Sequence, residues 1–100
     1  MTDSPALTIV HNEAQQRFEA AVTGGTAYVV YRRAGKVLHL VHTEVPAEAG
    51  GAGVAGKLVK AALDYAAAQG YTVFPMCSYV RAYMQRHPET QTLLAPGARV

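Results

Sequence analysis

Eight residues, Ala49-Gly50-Gly51-Ala52-Gly53-Val54-Ala55-Gly56, contain four glycines and three alanines. A helical pattern follows them directly. Almost no side chain stands between this backbone and a visiting group. The first N–H groups of a helix have no partner within it, and the aligned peptide dipoles add partial positive charge there. Such a turn suits a phosphate. Ahead of it, His42 and Glu44 stand two residues apart on one strand face, and either can take a proton directly or through water. Equally, Glu44 can be a solvated acid at a strand end and His42 a half-buried, satisfied histidine. Cys77 precedes a helix start, a position that favours the thiolate. It can also be a small buried residue filling a crevice. Tyr79 and Tyr83 lie one turn apart on the last helix, where aromatic bodies pack and hydroxyls reach the rim. His11, His39, His42 and His87 lack ligand-like spacing, so no metal site is expected.

The elements that must hold these residues can be read from pattern. Leu7 to His11 alternates and is β-branched, which suits a strand. Gln16 to Val22 suits a strand or a helix equally. Gly24-Gly25 turns the chain. Thr26 to Arg33 is a strand, Ala34-Gly35-Lys36 a hairpin connection, and Val37 to Val45 a second strand ended by Pro46. Alternation along that strand puts Leu38, Leu40 and His42 on one face, with His39, Val41 and Thr43 on the other. From Gly53 to Gln69 an apolar stripe of Val54, Leu58, Val59, Ala62, Leu63 and Ala66 describes a helix, with Gly70 as its C-cap. Residues 71–76 form a short buried strand. Ser78 then N-caps a helix with Tyr79, Val80, Tyr83, Met84 and His87 on one stripe, stopped by Pro88. The tail 89–100 has no clear pattern. Strand, helix and strand over 37–76 make a parallel, right-handed βαβ unit. The fold class is therefore α/β, an α+β mixed sheet with antiparallel strands followed by a β-α-β-α unit.

Neither common nucleotide fingerprint fits. Gly56-Lys57-Leu58 lacks the hydroxyl that a triphosphate loop uses to hold magnesium. A dinucleotide fold wants its glycine turn after the first strand of a parallel array and an acid at the end of the second. Here the next strand ends Pro75-Met76-Cys77.

The turn does resemble the coenzyme A pyrophosphate loop of the GNAT acyltransferase superfamily, Gln/Arg-x-x-Gly-x-Gly/Ala. Gly53 and Ala55 fill its last two positions, and Gly50 stands where Gln or Arg is usual. More narrowly, the chain resembles the small, minimal GNAT-like proteins, predicted N-acetyltransferases. The shared motifs are His42-Thr43-Glu44-Val45-Pro46, Gly51-x-Gly53-x-Ala55, Pro75-x-Cys77, Tyr83 and His87-Pro88-Glu89, covering roughly residues 8–90. The resemblance implies a minimal GNAT-like fold in which residues 14–22 form a strand. It implies that acetyl-CoA is bound by Gly50, Gly51, Ala52, Gly53, Val54, Ala55 and Gly56. It implies that pantetheine pairs with the strand edge at Thr43, Glu44 and Val45. It implies acetyl transfer to an amine, with Tyr83 protonating the leaving thiolate and Cys77 beside the acetyl group; it leaves the base open between Glu44, His42 and water, since bases in this superfamily vary and are often waters. A non-catalytic CoA-binding or regulatory module fits the same residues. Acceptor and oligomeric state are not legible.

Composition sets the outer bounds. One hundred residues, half of them hydrophobic and 16% charged, make one globular domain, with a core over about 7–90. The net charge of +2 is scattered, and Arg32-Arg33 with Lys36 is no nucleic-acid patch. A single cysteine excludes an internal disulfide and suits the cytoplasm. The N-terminus lacks a signal-peptide pattern, and the apolar runs are too short to span a membrane.

Overall fold

A computed structural model of the chain describes residues 7–51 and 53–100. Five strands form one sheet in the order β1-β2-β3-β4-β5. They are β1 (Val10–Asn12), β2 (Arg17–Val22), β3 (Gly25–Ala34), β4 (Val37–Glu44) and β5 (Thr72–Pro75). The first four pair antiparallel through hairpins, and β5 joins β4 in parallel. Residues 17–22 are thus a strand, as the resemblance implied, whereas 14–16, expected to belong to it, form the turn before it, with Gln16 at a φ of 53°. Helix α1 (Val54–Gln69) connects β4 to β5, and α2 (Ser78–Arg86) follows.

The first strand begins at Val10 rather than Leu7. Cys77, not Ser78, is the N-cap of α2. The tail, which shows no clear pattern in the sequence, forms structure up to Leu94. A 3-10 helix spans Pro88–Leu93, and Leu94 bridges to Val73. The Ala95 N–H bonds to the Val73 carbonyl at 2.8 Å, so the tail covers the outer edge of β5.

Both helices lie on one face of the sheet. The inward side chains Phe18, Ala20, Ala27, Val29, Tyr31, Leu38, Leu40 and Val73 form one core with the stripes of both helices. The stripe read from sequence on α1 is the buried one, residue for residue.

The alternation along β4 does not run through to its end. Tyr31 pairs with Leu40 and Val30 with His42, so Val41 is an extra residue in a β-bulge. The bulge shifts the phase by one. Thr43, opposite buried Val29, faces the helices, while His42 and Glu44 face the open side with Val30 and Tyr28. The expectation that His42 shares the face of Leu38 and Leu40, with Thr43 opposite, is thereby corrected. The physical reason is that β3 sets the register: it keeps Val29 and Tyr31 inward, and β4 must absorb one residue to match.

Candidate active site

Two features meet where β4 and β5 part. The parallel pairing runs from Val37↔Thr72 to Leu40↔Pro75 and stops there. The N–H groups of Met76 and Cys77 both turn to the Leu40 carbonyl at 3.0 Å. Beyond that point β4 continues to Glu44, paired among the described residues with β3 alone. Its other edge carries backbone donors and acceptors that a strand-like ligand can pair with. A bulge bends and twists its strand, and this one sits at the point of parting.

The second feature is the start of α1. After Pro46 a short 3-10 turn, Ala47–Ala49, leads into the glycines. Gly51 and Gly53 both hold positive φ, 83° and 74°. A Cβ at either would meet no atom within 4 Å, so packing does not demand glycine there; backbone geometry does. The first bond at this end of the helix runs from the Lys57 N–H to the Gly53 carbonyl. The N–H groups of Val54, Ala55 and Gly56 thus lack helical partners. No side chain caps this end, and its first turn holds no acid. A cavity of about 260 Å³ opens here, lined by Val45, Ala49, Gly50, Gly51, Gly53, Val54, Ala55 and Tyr79. Most of the expected cofactor-binding residues therefore share one hollow. Ala52 lies outside the described residues.

Gly56 lies where the two helices meet. A Cβ there would lie 3.5 Å from the Tyr79 hydroxyl and 3.7 Å from the Tyr83 ring. Both are ordinary van der Waals distances, so alanine would fit there too; the two tyrosines simply meet α1 at this point. Tyr79 lines the cavity; Tyr83 is buried along α1, its ring stacked on His87 at 4.2 Å. Burial raises the Tyr83 pKa; Lys60 opposes this, and Asp64 and Glu89 reinforce it. Its hydroxyl stays protonated, within electrostatic reach of Lys60 and Asp64 on α1. The resemblance gave Tyr79 no role, yet it is the tyrosine at the cavity. Its tie to Gly56 is a contact between helices that periodicity cannot show.

Cys77 and Thr43 come together across the gap, with sulfur and hydroxyl oxygen 3.7 Å apart. Burial is the largest influence on the thiol and opposes its ionisation. The amides of Val80 and Tyr79 and the Thr43 hydroxyl outweigh it, so the pKa is lowered. The sulfur makes no formed cap hydrogen bond; these dipoles act on it at the helix start.

His42 and Glu44 pair with each other at 2.9 Å, both more than half exposed. They belong to the open sheet face, whereas Thr43 and Cys77 bridge the gap on the helix side. Two polar groups thus stand on one side of β4 and two on the other, with the unpaired edge between them. Such an arrangement can take a strand-like ligand along the edge and a second reactant from the open face.

Residues 17–93 match the sequence profile of the GCN5-related N-acetyl-transferase family. Protein NATD1 of Xenopus tropicalis is 30% identical over 96 residues, covering 93% of this chain and 88% of that protein. Human protein NATD1 is 31% identical over 90 residues, covering 87% and 80%. The solution structure of a GCN5-like protein from Staphylococcus aureus superposes with a TM-score of 0.72 at 23% identity, covering 92% of this chain and 91% of that one. This last likeness speaks to the fold.

Proposed function

The chain belongs to the GCN5-related N-acetyl-transferase family, and from that premise we propose that it binds acetyl-CoA at the glycine turn and transfers acetyl to an amine. One observation carries this reading. Among the described residues, an uncapped helix N-terminus behind two positive-φ glycines opens beside a strand edge that has no partner. Phosphates need the first of these and an extended amide-bearing arm needs the second.

In this reading the N–H groups of Val54, Ala55 and Gly56 hold the pyrophosphate, and the Tyr79 hydroxyl adds a donor near Gly56. The backbone of Thr43 to Val45 pairs with the pantetheine amides. When bound, the thioester supplies an activated acetyl group: an amine nitrogen bonds to its carbonyl carbon, the carbon–sulfur bond breaks, and sulfur takes up a proton. Glu44, aided by His42, accepts the proton that an ammonium must shed before its nitrogen can attack. Cys77 and Thr43 present a polarised pair on the other side of the edge, where Cys77 can give a proton. Tyr83 keeps α1 and α2 in place and acts through packing.

Calorimetric titration with acetyl-CoA and with CoA tests this. Saturable binding of both is expected. No heat up to roughly millimolar ligand would overturn the assignment. A second reading, a CoA-binding module without turnover, draws on Gly50 standing where the superfamily carries Gln or Arg. Binding of both ligands with no acetyl transfer to any amine would favour it.

A further inference from the structure

The described residues expose four large apolar side chains: Val10 (51%), Val41 (39%), Phe74 (36%) and Met76 (53%). Three of them gather where β4 and β5 part. Val41 is the bulge residue, Phe74 is on β5, and Met76 follows its end. His39 and Phe74 are partners in the β4–β5 register, with rings stacked at 5.6 Å. They lie on the open face, not among the helices. Isolated exposed apolar residues are ordinary, but neighbours at one point call for a partner. Phe74 has His39 as its cross-strand partner, whereas Val41, the extra residue of the bulge, and Met76, beyond the end of β5, have no partner in the strand register.

The surrounding charge narrows the partner. Glu19, Tyr28 and Glu44 stand in one row across β2, β3 and β4. Arg17 neutralises Glu19 and lies 4.8 Å over the Tyr28 ring. Glu44 has only the exposed His42 imidazole beside it. Glu44, three residues beyond Val41 on the same strand and open to solvent beside His42, adds a carboxylate that favours a cation. Shape narrows the partner further. Small ligands are held by concave sites that bury most of their surface. A sheet face with strands about 4.8 Å apart gives a small amine no enclosure, but it offers an extended peptide several footholds.

We propose that Val41, Phe74 and Met76 form an acceptor platform, and that the acceptor is a polypeptide presenting a primary amine beside an apolar side chain. The apolar side chain rests on the platform. The ammonium approaches Glu44, gives it a proton, and Glu44 later returns that proton to solvent. This rests on the acetyltransferase reading above, and the test separates the two.

The double variant Val41→Ser, Met76→Ser changes exposed positions only, so the fold should persist by circular dichroism. Acetyl-CoA affinity, measured by calorimetry, should equal that of the unaltered chain. Three acceptors are compared by mass spectrometry: a blocked peptide with one lysine between leucine and phenylalanine, the same peptide with glycine flanks, and spermidine. The apolar-flanked peptide should be acetylated about tenfold more efficiently, the effect of burying one apolar side chain. The double variant should lose that preference. The same peptides are also titrated by NMR without acetyl-CoA, where only the apolar-flanked one should shift the Val41, Phe74 and Met76 signals. Equal efficiency on all three acceptors, or a preference that survives in the variant, overturns the platform. So does a dimer that the variant dissolves, which would assign the patch to a second copy. If acetyl-CoA does not bind, the acetyltransferase reading fails while the peptide titration still decides the surface.

Discussion

Gly53 and Gly70 bracket α1 with nearly the same backbone. Both hold φ 74°, with ψ 14° and 24°, and a Cβ at either meets no atom within 4 Å. Glutamate at either position must adopt a left-handed conformation, costing about 1–2 kcal/mol. In a domain of this size that lowers Tm by about 4–8 °C per kcal/mol. The helix dipole then separates the two. A carboxylate gains about 0.3–1 kcal/mol at the N-terminus and loses a like amount at the C-terminus. Gly53→Glu should therefore be the more stable variant. Its effect on acetyl-CoA should be the reverse. Against a pyrophosphate bearing about two charges at roughly 6 Å, with an effective dielectric near 40, repulsion is about 3 kcal/mol. That is about a hundredfold loss of affinity. Gly70→Glu lies at the far end of a 16-residue helix, about 24 Å away and beyond a Debye length of about 8 Å. Its affinity should match the unaltered chain. Calorimetry with acetyl-CoA and thermal melts on both variants make the comparison. Unchanged affinity in Gly53→Glu, or losses that simply track stability in both, would refute phosphate binding at this turn.

Three further outcomes are expected. Glu44→Gln should lower kcat for amine acetylation by about 10²–10⁴ with acetyl-CoA affinity unchanged, as loss of a proton acceptor does; an unaltered rate points to water alone. Thr43→Val should slow alkylation of Cys77 by iodoacetamide at neutral pH, because the hydroxyl helps lower the thiol pKa; an equal or faster rate removes Thr43 from that role. His11 stacks on Phe18 at 4.2 Å, and burial lowers its pKa below 6.5, with Glu13 partly opposing. The unfolded chain then binds more protons in that window, so stability should fall as pH drops through 6.5 toward the folded value and level off below it. Urea unfolding between about pH 7.5 and 5 should show this, with a flatter curve for His11→Phe.

What the sequence determined by itself was local. Gly70 and Pro88 punctuate helices because left-handed backbone and a missing N–H act within a turn or two. The stripe from Val54 to Ala66 marked the buried face of α1 because helical geometry alone sets its period. The glycine turn was legible for the same reason, since positive φ at Gly51 and Gly53 is a local demand. The reading over 16–22 was undecided from composition and came from the family likeness, because short amphipathic runs fit both periods.

Tertiary structure decided what depends on distant partners. The bulge at Val41 exists because β3 keeps Val29 and Tyr31 in the core, and it put Thr43 with Cys77 while turning His42 and Glu44 outward. Nothing in residues 37–45 read alone marks that phase change. Tyr79 rather than Tyr83 lines the cavity because of how the second helix lies against the first near Gly56. The tail is ordered because β5 offers it a free edge. Register, helix approach and edge coverage are each set by residues far apart in the chain, so periodicity within a segment cannot carry them.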